Sequence, residues 1–316
     1  MAQRPAVTVL GSLNTDISLL VPHLPGPGET VLASAAATIG AGGKGANQAV
    51  AAARLGAAVS MVGCCGDDEF GARLRAGLVA EGIGVAGLRA VPGVASGLAL
   101  ITVDPAGENS IAVAGGANGL AGDAEVAGAF AQPCDALVLS AEIPAPVLGA
   151  ALRRARADGV RTVLNLAPVP EGAAGLLAER PDWLVVNAQE AAALAGRPGN
   201  APRDEAALGR DIAAALAAGL GGGQVVVTLG AAGAALAGPS GTAAVPGFPV
   251  TAVDTVGAGD AFVGALAVAL ASGLDPGAAV TAACAAGAAA ATRRGAQAAL
   301  PRPADVLAAT GFPWPA

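Results

Sequence analysis

Short apolar runs of strand length alternate along the chain with longer stretches whose apolar residues have helical spacing. Parallel strands need a crossover between them, usually a helix, so this alternation predicts βαβ units and a mainly parallel sheet. The first unit runs from a strand at Val7–Leu10, through a helix at Lys44–Leu55, to a strand at Val59–Val62. Because 316 residues can bury a large core, a single domain over residues 1–316 is expected.

The same alternation continues through the rest of the chain. A helix is predicted at Glu69–Glu81 with Asp67 or Asp68 as its N-cap, and another between Pro144 and Gly159. Further strands are predicted at Ala136–Leu139, Thr162–Leu164, Trp183–Val186 and Val225–Leu229. The tract Pro276–Thr292 lacks charge, but it is rich in alanine and bounded by charged residues within about the length of a membrane span, which favours a buried helix.

Two segments interrupt this alternation of strands and helices, at Thr15–Ile39 and Ala95–Ala114. The second contains alternating patterns joined by the turn residues Pro105, Ala106 and Gly107, which predict a hairpin outside the parallel sheet. Insertions of this kind often form a lid that closes over a ligand and excludes water. A small β lid is therefore expected from about residues 15–40 and 95–114.

Charge and residue counts exclude several classes of function. The net charge is −7 and the few basic residues are scattered, so no surface for nucleic acid or anionic lipid is indicated. His23 is the only histidine, which leaves any base chemistry to carboxylates. The four cysteines have no C-x-x-C spacing and are interpreted as reduced thiols of a cytoplasmic protein.

The segment Val253–Leu270 combines a glycine loop with the start of a predicted helix. Gly257 and Gly259 flank Ala258 and lead into Asp260, after which apolar residues recur at helical spacing. Backbone N–H groups at such a helix N-terminus suit an anion such as a phosphoryl group. Asp260 could take a proton from an attacking hydroxyl, although an ordinary helix cap after a tight turn explains these residues equally well.

A second glycine-rich segment, GAGGKG, precedes the first predicted helix. Gly40, Gly42 and Gly45 have the G-x-G-x-x-G spacing of a dinucleotide-binding loop. The segment does not follow the opening strand, however, and Lys44 is unexpected where a backbone must approach a pyrophosphate. The P-loop pattern fails because Gly45 stands where Ser or Thr binds magnesium, so phosphoryl transfer needs another architecture.

Two long motifs, in the expected order, resemble the signatures of the ribokinase-like, PfkB family of sugar kinases. AGGKGANQAVAAARLG is similar to its N-terminal glycine signature and DTVGAGD to its C-terminal one. Shorter matches extend the resemblance over essentially the whole chain: GSLNTD, PGET, GDDEFG, GEN, NAQE, TLG and TRRGAQ. The resemblance implies a three-layer αβα fold with a small β-sheet lid, and MgATP-dependent phosphorylation of a sugar. Asp260 is then the implied general base, and the Gly257–Gly259 loop the implied anion hole.

The resemblance also implies a sugar pocket around the glycine signature. Convergent donors and acceptors suit a polyol, and a carboxylate bonded to two hydroxyls rejects analogues that lack one. The implied sugar ligands are Asn14, Asp16, Gly42, Gly43, Lys44, Asn47 and Glu142, with Asp260 at the reacting hydroxyl. The length of the GGKGANQA match favours ribose, phosphorylated at its 5-hydroxyl to give ribose 5-phosphate and ADP.

The segment NAQE matches the N-x-x-E motif of the family and implies a magnesium site. Asn187 and Glu190, three residues apart, would hold the ion through water, because magnesium keeps much of its hydration shell. Without the resemblance, a helix cap followed by an exposed glutamate explains the pair.

The nucleotide site is implied by a further set of matches. The implied nucleotide ligands are Asn187, Thr228, Gly230 and Gly259, with adenine near Cys284. The chain departs from the family pattern at Ala231 or Ala232, where a polar or basic residue is common, so the nucleotide is expected to be held more weakly or differently.

A potassium site, with K⁺ as activator, is implied near the C-terminal signature. Its implied ligands are Asp254, Val256, Ala290, Arg293 and Gly295, mostly through backbone carbonyls, and hard cations do prefer oxygen ligands. Ala299 stands where the family often has a serine hydroxyl, which puts this site in doubt.

Other functions remain open at this stage. A related kinase could act on deoxyribose, fructose, a ketodeoxy sugar acid or a nucleoside, although an aromatic content of 2% argues against stacking on a base. A sugar sensor without catalysis is a further alternative, which the presence of Asp260 and the N-x-x-E motif disfavours. A homodimer that pairs through exposed strand edges of the lid is expected.

Overall fold

The computed structural model describes residues 4–196 and 205–315. Its strands are β1 Ala6–Leu10, β2 Asn14–Leu20, β3 Thr38–Gly42, β4 Ala58–Gly66, β5 Gly84–Val91, β6 Gly97–Val103, β7 Asn109–Ala114, β8 Ala136–Ser140, β9 Arg161–Asn165, β10 Trp183–Asn187, β11 Gln224–Thr228, β12 Gly233–Gly238 and β13 Gly241–Pro246. Its α-helices are α1 Lys44–Arg54, α2 Glu69–Ala80, α3 Asp123–Ala129, α4 Ala145–Asp158, α5 Ala173–Ala178, α6 Ala188–Leu194, α7 Glu205–Gly219, α8 Ala258–Ala271, α9 Pro276–Ala291, α10 Ala296–Ala299 and α11 Pro303–Thr310.

Nine of these strands form one sheet, here called the large sheet, in the order β13-β12-β11-β10-β9-β8-β1-β4-β5. The pairings from β11 through β1 to β5 are parallel, as the βαβ pattern predicts, whereas β12 and β13 are antiparallel at one edge. The mainly parallel sheet is thus confirmed. The β12–β13 hairpin was not predicted, because its residues are mostly alanine and glycine and carry little periodic signal.

Hydrophobic residues are buried on both faces of the large sheet. Along β8, Val138 packs with the core on the side of α1, α8 and α9, while Leu137 and Leu139 pack with the core on the side of α4. Successive side chains of a strand point to opposite faces, so continuous apolar strands require a helical layer on each side. The predicted three-layer αβα architecture is confirmed.

The alanine-rich tract forms helix α9, which is buried against α8 and α11. Its small side chains let neighbouring helices approach closely, which explains why a helix without leucine can lie in the core. Within residues 4–196 and 205–315, no helix combines the length and the hydropathy that crossing a membrane requires.

The remaining four strands form a second sheet, here called the small sheet, in the order β3-β2-β6-β7. Its strands come from the two segments that interrupt the βαβ pattern, so the predicted strands outside the parallel sheet are confirmed. The chain passes from β1 of the large sheet to β2 of the small sheet through residues 11–13 alone. The small sheet therefore meets the large one next to the carboxyl end of β1.

Candidate active site

The glycine loop leads into helix α8, as the sequence predicts. Gly257 is the N-cap and has φ 79°, a left-handed conformation that glycine adopts without strain. The N–H group of Ala258 donates to the carbonyl of Thr255 at 3.2 Å. Gly259 and Asp260 follow in the first turn, where backbone N–H groups have no helical acceptor and the helix dipole is positive.

The carboxylate of Asp260 is buried and accepts hydrogen bonds from two amides of α1. Nδ2 of Asn47 donates to Oδ2 at 2.8 Å, and Nε2 of Gln48 donates to Oδ1 at 3.1 Å. Gly264, one turn further along α8, permits this contact, because a Cβ there would lie 2.7 Å from the carbonyl oxygen of Gln48. The close approach of α1 and α8 thus places both amides on the carboxylate.

The charges around Asp260 act in opposite directions on its protonation. Burial raises the pKa of Asp260, and the positive charge of Lys44 and the two amide donors oppose that rise. Burial also disfavours the charge of Lys44, but the carboxylates of Asp260, Glu142 and Glu190 outweigh it and raise the pKa of the lysine. Lys44 is therefore held as a cation among three carboxylates.

The predicted sugar ligands surround the start of α1. Oε2 of Glu142 accepts from the backbone N–H of Lys44 at 3.0 Å and from the hydroxyl of Ser12 at 2.5 Å. Oδ1 of Asn14 accepts from Nδ2 of Asn118 at 2.8 Å, at the point where β2 leaves residues 11–13. These contacts hold polar side chains of the sugar-ligand set in place beside the start of α1 and at the junction of the two sheets.

Asp16 lies on β2 and faces β3 of the small sheet. A Cβ at Gly42 would lie 2.1 Å from Oδ2 of Asp16, so only glycine leaves space for the carboxylate there. Burial, followed by the nearby charges of Glu142 and Asp260, raises the pKa of Asp16 to about 6. Three predicted site carboxylates are therefore close enough to influence one another.

A cavity of about 200 Å³ lies at the carboxyl ends of β9, β10 and β11. Its lining includes the following predicted site residues: Lys44, Asn187, Glu190, Thr228, Gly257, Gly259 and Asp260. It does not include Gly230, Ala258 or Cys284. Asp260 belongs to this cavity and also contacts Asn47 of the sugar-ligand set, so the two predicted halves of the site meet at its carboxylate.

Asn187 and Glu190 form a reciprocal capping box at the start of α6. Oδ1 of Asn187 accepts from the N–H of Glu190, and Oε2 of Glu190 accepts from the N–H of Asn187, both at 2.8 Å. The two residues therefore form a helix cap, as the interpretation without the family resemblance predicts. The second carboxylate oxygen of Glu190 is left for other partners on the cavity wall.

The donors around this cavity fit a magnesium ion that is bound together with phosphate. In the described parts of the chain, no group of three or more His, Cys, Asp or Glu side chains is placed to hold a metal. Magnesium often binds through one or two carboxylates, water and substrate phosphates, so Glu190 beside an anion-binding helix start suits it. Burial raises the pKa of Glu190, and the N–H of Asn187 and the charge of Lys44 oppose the rise.

The residues implied for potassium gather where α9 ends, but they already bind one another. Oδ1 of Asp254 accepts from the N–H of Val256 at 3.0 Å, and Oδ2 accepts from the N–H of Gly295 at 2.8 Å. The carbonyl of Ala290 accepts from the N–H of Arg293. Ala299 is fully buried and supplies no side-chain oxygen. The oxygens are of a type that potassium accepts, but both oxygens of Asp254 and the carbonyl of Ala290 already accept hydrogen bonds from the protein itself.

Several residues of the site were not singled out from the sequence. Gln48 contacts Asp260, Asn165 contacts Gln48, and Ser12 contacts Glu142. Ser12 and Gln48 lie within the motifs GSLNTD and GGKGANQA, so the motifs contained a signal for both. Asn165 lies at the end of a strand, and the sequence contains no other indication that it belongs to the site.

The comparison with protein families agrees with this arrangement. The model of the pfkB family of carbohydrate kinases matches residues 4–303. The chain belongs to this family. It is therefore an enzyme of the carbohydrate kinase class, as the two signatures imply.

Individual members of the PfkB family support the assignment over nearly the whole chain. The ribokinase of Haemophilus influenzae is 36% identical over 306 residues, which are 96% of this chain and 98% of the relative. A deoxyribokinase of Salmonella typhi is 35% identical over 263 residues, with 83% of this chain and 84% of the relative covered. The structure of Arabidopsis thaliana ribokinase complexed with ribose and ATP has a TM-score of 0.80 at 30% identity, and covers 97% of this chain and 98% of its own.

Proposed function

We propose that this PfkB-family kinase transfers the γ-phosphoryl group of ATP to the 5-hydroxyl of ribose, giving ribose 5-phosphate and ADP. The observation that carries the proposal is the position of Asp260. Its buried carboxylate lines the cavity at the strand ends, accepts a hydrogen bond from Asn47, and is close enough to Asp16 to raise the pKa of that residue. The similarity to ribokinases and to a ribokinase bound to ribose and ATP supports this choice of substrates.

In the proposed reaction, Asp260 accepts the proton of the attacking hydroxyl as its oxygen bonds to phosphorus. A buried carboxylate whose ionised form is favoured by the charge of Lys44 and by the amides of Asn47 and Gln48 is suited to this role. The first turn of α8, after Gly257, directs N–H groups to the side on which negative charge builds up on the phosphoryl oxygens. These residues supply the base and the anion hole.

Sugar recognition is proposed for the junction of the two sheets. Asn14, Asp16, Asn47 and Glu142 offer donors and acceptors to ribose hydroxyls, while Gly42, Gly43 and Lys44 contact the sugar from the start of α1. Buried polar groups that would be left without partners discriminate against sugars lacking a hydroxyl. The small sheet is proposed to close over the bound sugar as a lid.

The nucleotide is proposed to bind on the side of the strand ends. Thr228, Gly230 and Gly259 would contact its phosphates and ribose, and Asn187 and Glu190 would hold magnesium through water. Bound magnesium neutralises charge on the phosphates during transfer. Glu190 orients that ion, and its capping bond to Asn187 fixes the direction of its carboxylate.

Two further features belong to the proposal. Potassium would bind carbonyls around Asp254 and raise turnover by ordering the loop before α8, provided that Ala299 is tolerated.

A homodimer would form through the small sheet. Edge strand β7 presents Ile111 and Val113 with about half of each side chain exposed (51% and 54%), which suits a pairing surface.

A coupled assay of ADP release with MgATP tests the substrate. The panel is ribose, 2-deoxyribose, fructose, a ketodeoxy sugar acid, adenosine and no sugar, each with and without potassium. We expect ribose to give the highest kcat/KM. A preference for 2-deoxyribose would support the second candidate, which the similarity to a deoxyribokinase favours, and would contradict the proposed substrate.

The remaining outcomes of the panel are also informative. No stimulation by any sugar would contradict the kinase assignment for this substrate class and favour a sugar sensor. Equal rates with and without potassium would remove the cation from the proposal and leave the rest of it intact.

A further inference from the structure

The two oxygens of the Asp260 carboxylate accept hydrogen bonds from two amides. Among the described residues, only the amide of Gln48 is also bonded to a second side chain. Oδ1 is bound by Gln48, which is fully buried, and Oδ2 is bound by Asn47, which is nearly so. Gln48 is itself fixed by a second side chain, because its Nε2 also donates to Oδ1 of Asn165 at 2.9 Å. In the part of the chain that the structure describes, Oδ1 of Asn47 and Oε1 of Gln48 both lack a hydrogen-bond partner.

The direction of the hydrogen bonds from Gln48 is set by the protein backbone. The carbonyl of Val185 can only accept, so the group of Asn165 that meets it, at 3.2 Å, must be Nδ2. Oδ1 of Asn165 therefore points to Gln48 and needs a donor there. Rotating the amide of Gln48 by 180° would place its oxygen against two acceptors, so Nε2 stays between Asn165 and Asp260.

This chain of bonds fixes the role of one oxygen of Asp260. Oδ1 must accept a hydrogen bond from Gln48, so a proton on Oδ1 would point at the N–H of Gln48 and lose that bond. Oδ2 has no such restriction, because the amide of Asn47 can turn and offer its unpartnered oxygen to a protonated Oδ2. The two oxygens are therefore chemically distinct before any substrate binds.

We propose that Gln48, oriented by Asn165, is a positioning residue that keeps Oδ1 of Asp260 as an acceptor and leaves Oδ2 to receive the proton of the substrate hydroxyl. The inference rests on the proposed function, in which Asp260 is the base. In the step, the hydroxyl O–H bond breaks and its proton forms a bond to Oδ2. The freed electron pair forms the new bond to phosphorus, and the bond from phosphorus to ADP breaks.

Other charged groups face Asp260 and are unchanged by the test. Lys44 at the start of α1 favours its ionised form, and Glu142, after β8, disfavours it. Asp16 on β2 is also close enough for its own protonation to respond to Asp260. Any variant at Gln48 or Asn165 leaves these three side chains in place. A change in pH dependence is therefore assigned to the hydrogen bonds that link Asn165, Gln48 and Asp260.

The test is Gln48→Met, which keeps the length of the side chain and removes its donor. Loss of a donor to the ionised form raises the pKa of Asp260, so the acid limb of kcat is expected to move up by about one pH unit. kcat at neutral pH is expected to fall about 10-fold, because a hydrogen bond to a charged group is worth about that factor. KM for ribose is expected to stay within about threefold.

Asn165→Leu is the second variant, and it leaves the contact between α1 and α8 intact. It releases the amide of Gln48 and is expected to shift the acid limb in the same direction by a smaller amount. Gln224→Met, at the amino end of β11 in the same sheet, is the matched control for loss of an amide, with an unchanged profile expected. If Gln48→Met does not fold, Asn165→Leu decides the question.

The outcomes separate this inference from the proposed function. Asp260→Asn is assayed in parallel, and near-normal turnover in that variant would remove Asp260 as the base. If Asp260→Asn is inactive while Gln48→Met and Asn165→Leu keep the wild-type kcat and pH profile, only the positioning role is overturned. A loss of thermal stability with an unchanged pH profile would also overturn the positioning role. That result would show that Gln48 and Asn165 contribute only to packing.

Discussion

The large and small sheets differ in how much of each strand is buried. Every residue of β8 in the large sheet is buried, whereas every residue of β7 in the small sheet is exposed. The large sheet has a helical layer on each face, and the small sheet has no such cover over β7 within the described residues. The large sheet is therefore the stable part of the molecule, and the small sheet contributes little to the free energy of folding.

The proposed site combines these two regions, and each supplies a different function. Asp260, on a buried helix beside the large sheet, is the residue proposed for the chemical step. Asp16, on β2 of the small sheet, is a residue proposed for sugar recognition. Changes near the large sheet are thus expected to lower kcat or stability, and changes in the small sheet to raise KM.

The largest effect is expected from Asp260→Asn. Removal of a general base typically lowers turnover by about 10²- to 10⁴-fold, while KM for ribose is expected to change little. Burial raises the pKa of Asp260, so the folded state gains stability as the pH falls through that raised pKa, and the amide variant is expected to be no less stable. Steady-state kinetics and thermal unfolding measure both effects. A KM increase without loss of kcat would contradict the expectation that changes near the large sheet lower kcat.

The second prediction compares one leucine from each of the two sheets. Leu139→Ala in β8 removes a fully buried side chain and is expected to lower the free energy of unfolding by about 2–5 kcal/mol. Leu100→Ala in β6 removes a half-exposed side chain and is expected to cost less than about 1 kcal/mol. Denaturant unfolding of both variants measures the difference, and equal losses would contradict the comparison.

The third prediction concerns Asp16 and is smaller. Asp16→Asn is expected to raise KM for ribose about 10- to 100-fold, because a hydrogen bond from a hydroxyl to a carboxylate is lost, with kcat reduced much less. The pKa of Asp16 is raised to about 6, so kcat/KM of the wild type is expected to fall as the pH drops below about 6 and the carboxylate is protonated. Folding stability responds in the opposite sense, since this group stabilises the folded state at low pH and that contribution is lost as the pH rises through about 6.

One measurement on both proteins checks the predicted pH dependence. A pH series of kcat/KM should show a limb near pH 6 in the wild type that is absent from Asp16→Asn. The same limb in both proteins would assign the titration to another group.

The smallest effect on stability is expected from Ile111→Ser combined with Val113→Ser on β7. Both side chains are about half exposed, so the free energy of unfolding of the monomer should change by no more than about 0.5 kcal/mol for each. Light scattering should nevertheless show a shift from dimer to monomer if these residues form the pairing surface. A dimer that persists in the double variant would place the interface elsewhere.

The sequence was sufficient for the architecture because the pattern of buried strands is local. Glu69–Glu81 was predicted as a helix capped by Asp67 or Asp68, and the structure has a helix at Glu69–Ala80 capped by Asp68. Asp260 and the glycine loop were found because a glycine-rich turn before a helix is visible in a few consecutive residues. The two-segment origin of the small sheet was visible for the same reason.

The contacts inside the site could not be predicted in this way. Gln48 reaches Asp260 only because Gly264 lets α1 and α8 approach, and nothing near Gln48 in the sequence reports that approach. The oxygens of Asp254 were assigned to a cation, yet their bonds to the N–H groups of Val256 and Gly295 depend on where α9 ends. Pairings between distant segments are a property of the folded chain alone.

The small sheet is assembled from two stretches of chain with α1, β4, α2 and β5 between them. β2 and β6 can pair only after those four elements have brought the stretches together, so the small sheet is expected to form late in folding. It should also open first, in fluctuations that leave the large sheet intact, and its backbone amides should exchange with solvent hydrogen fastest. The part of the enzyme that is proposed to contact the sugar would then be the part that can detach and re-form between turnovers.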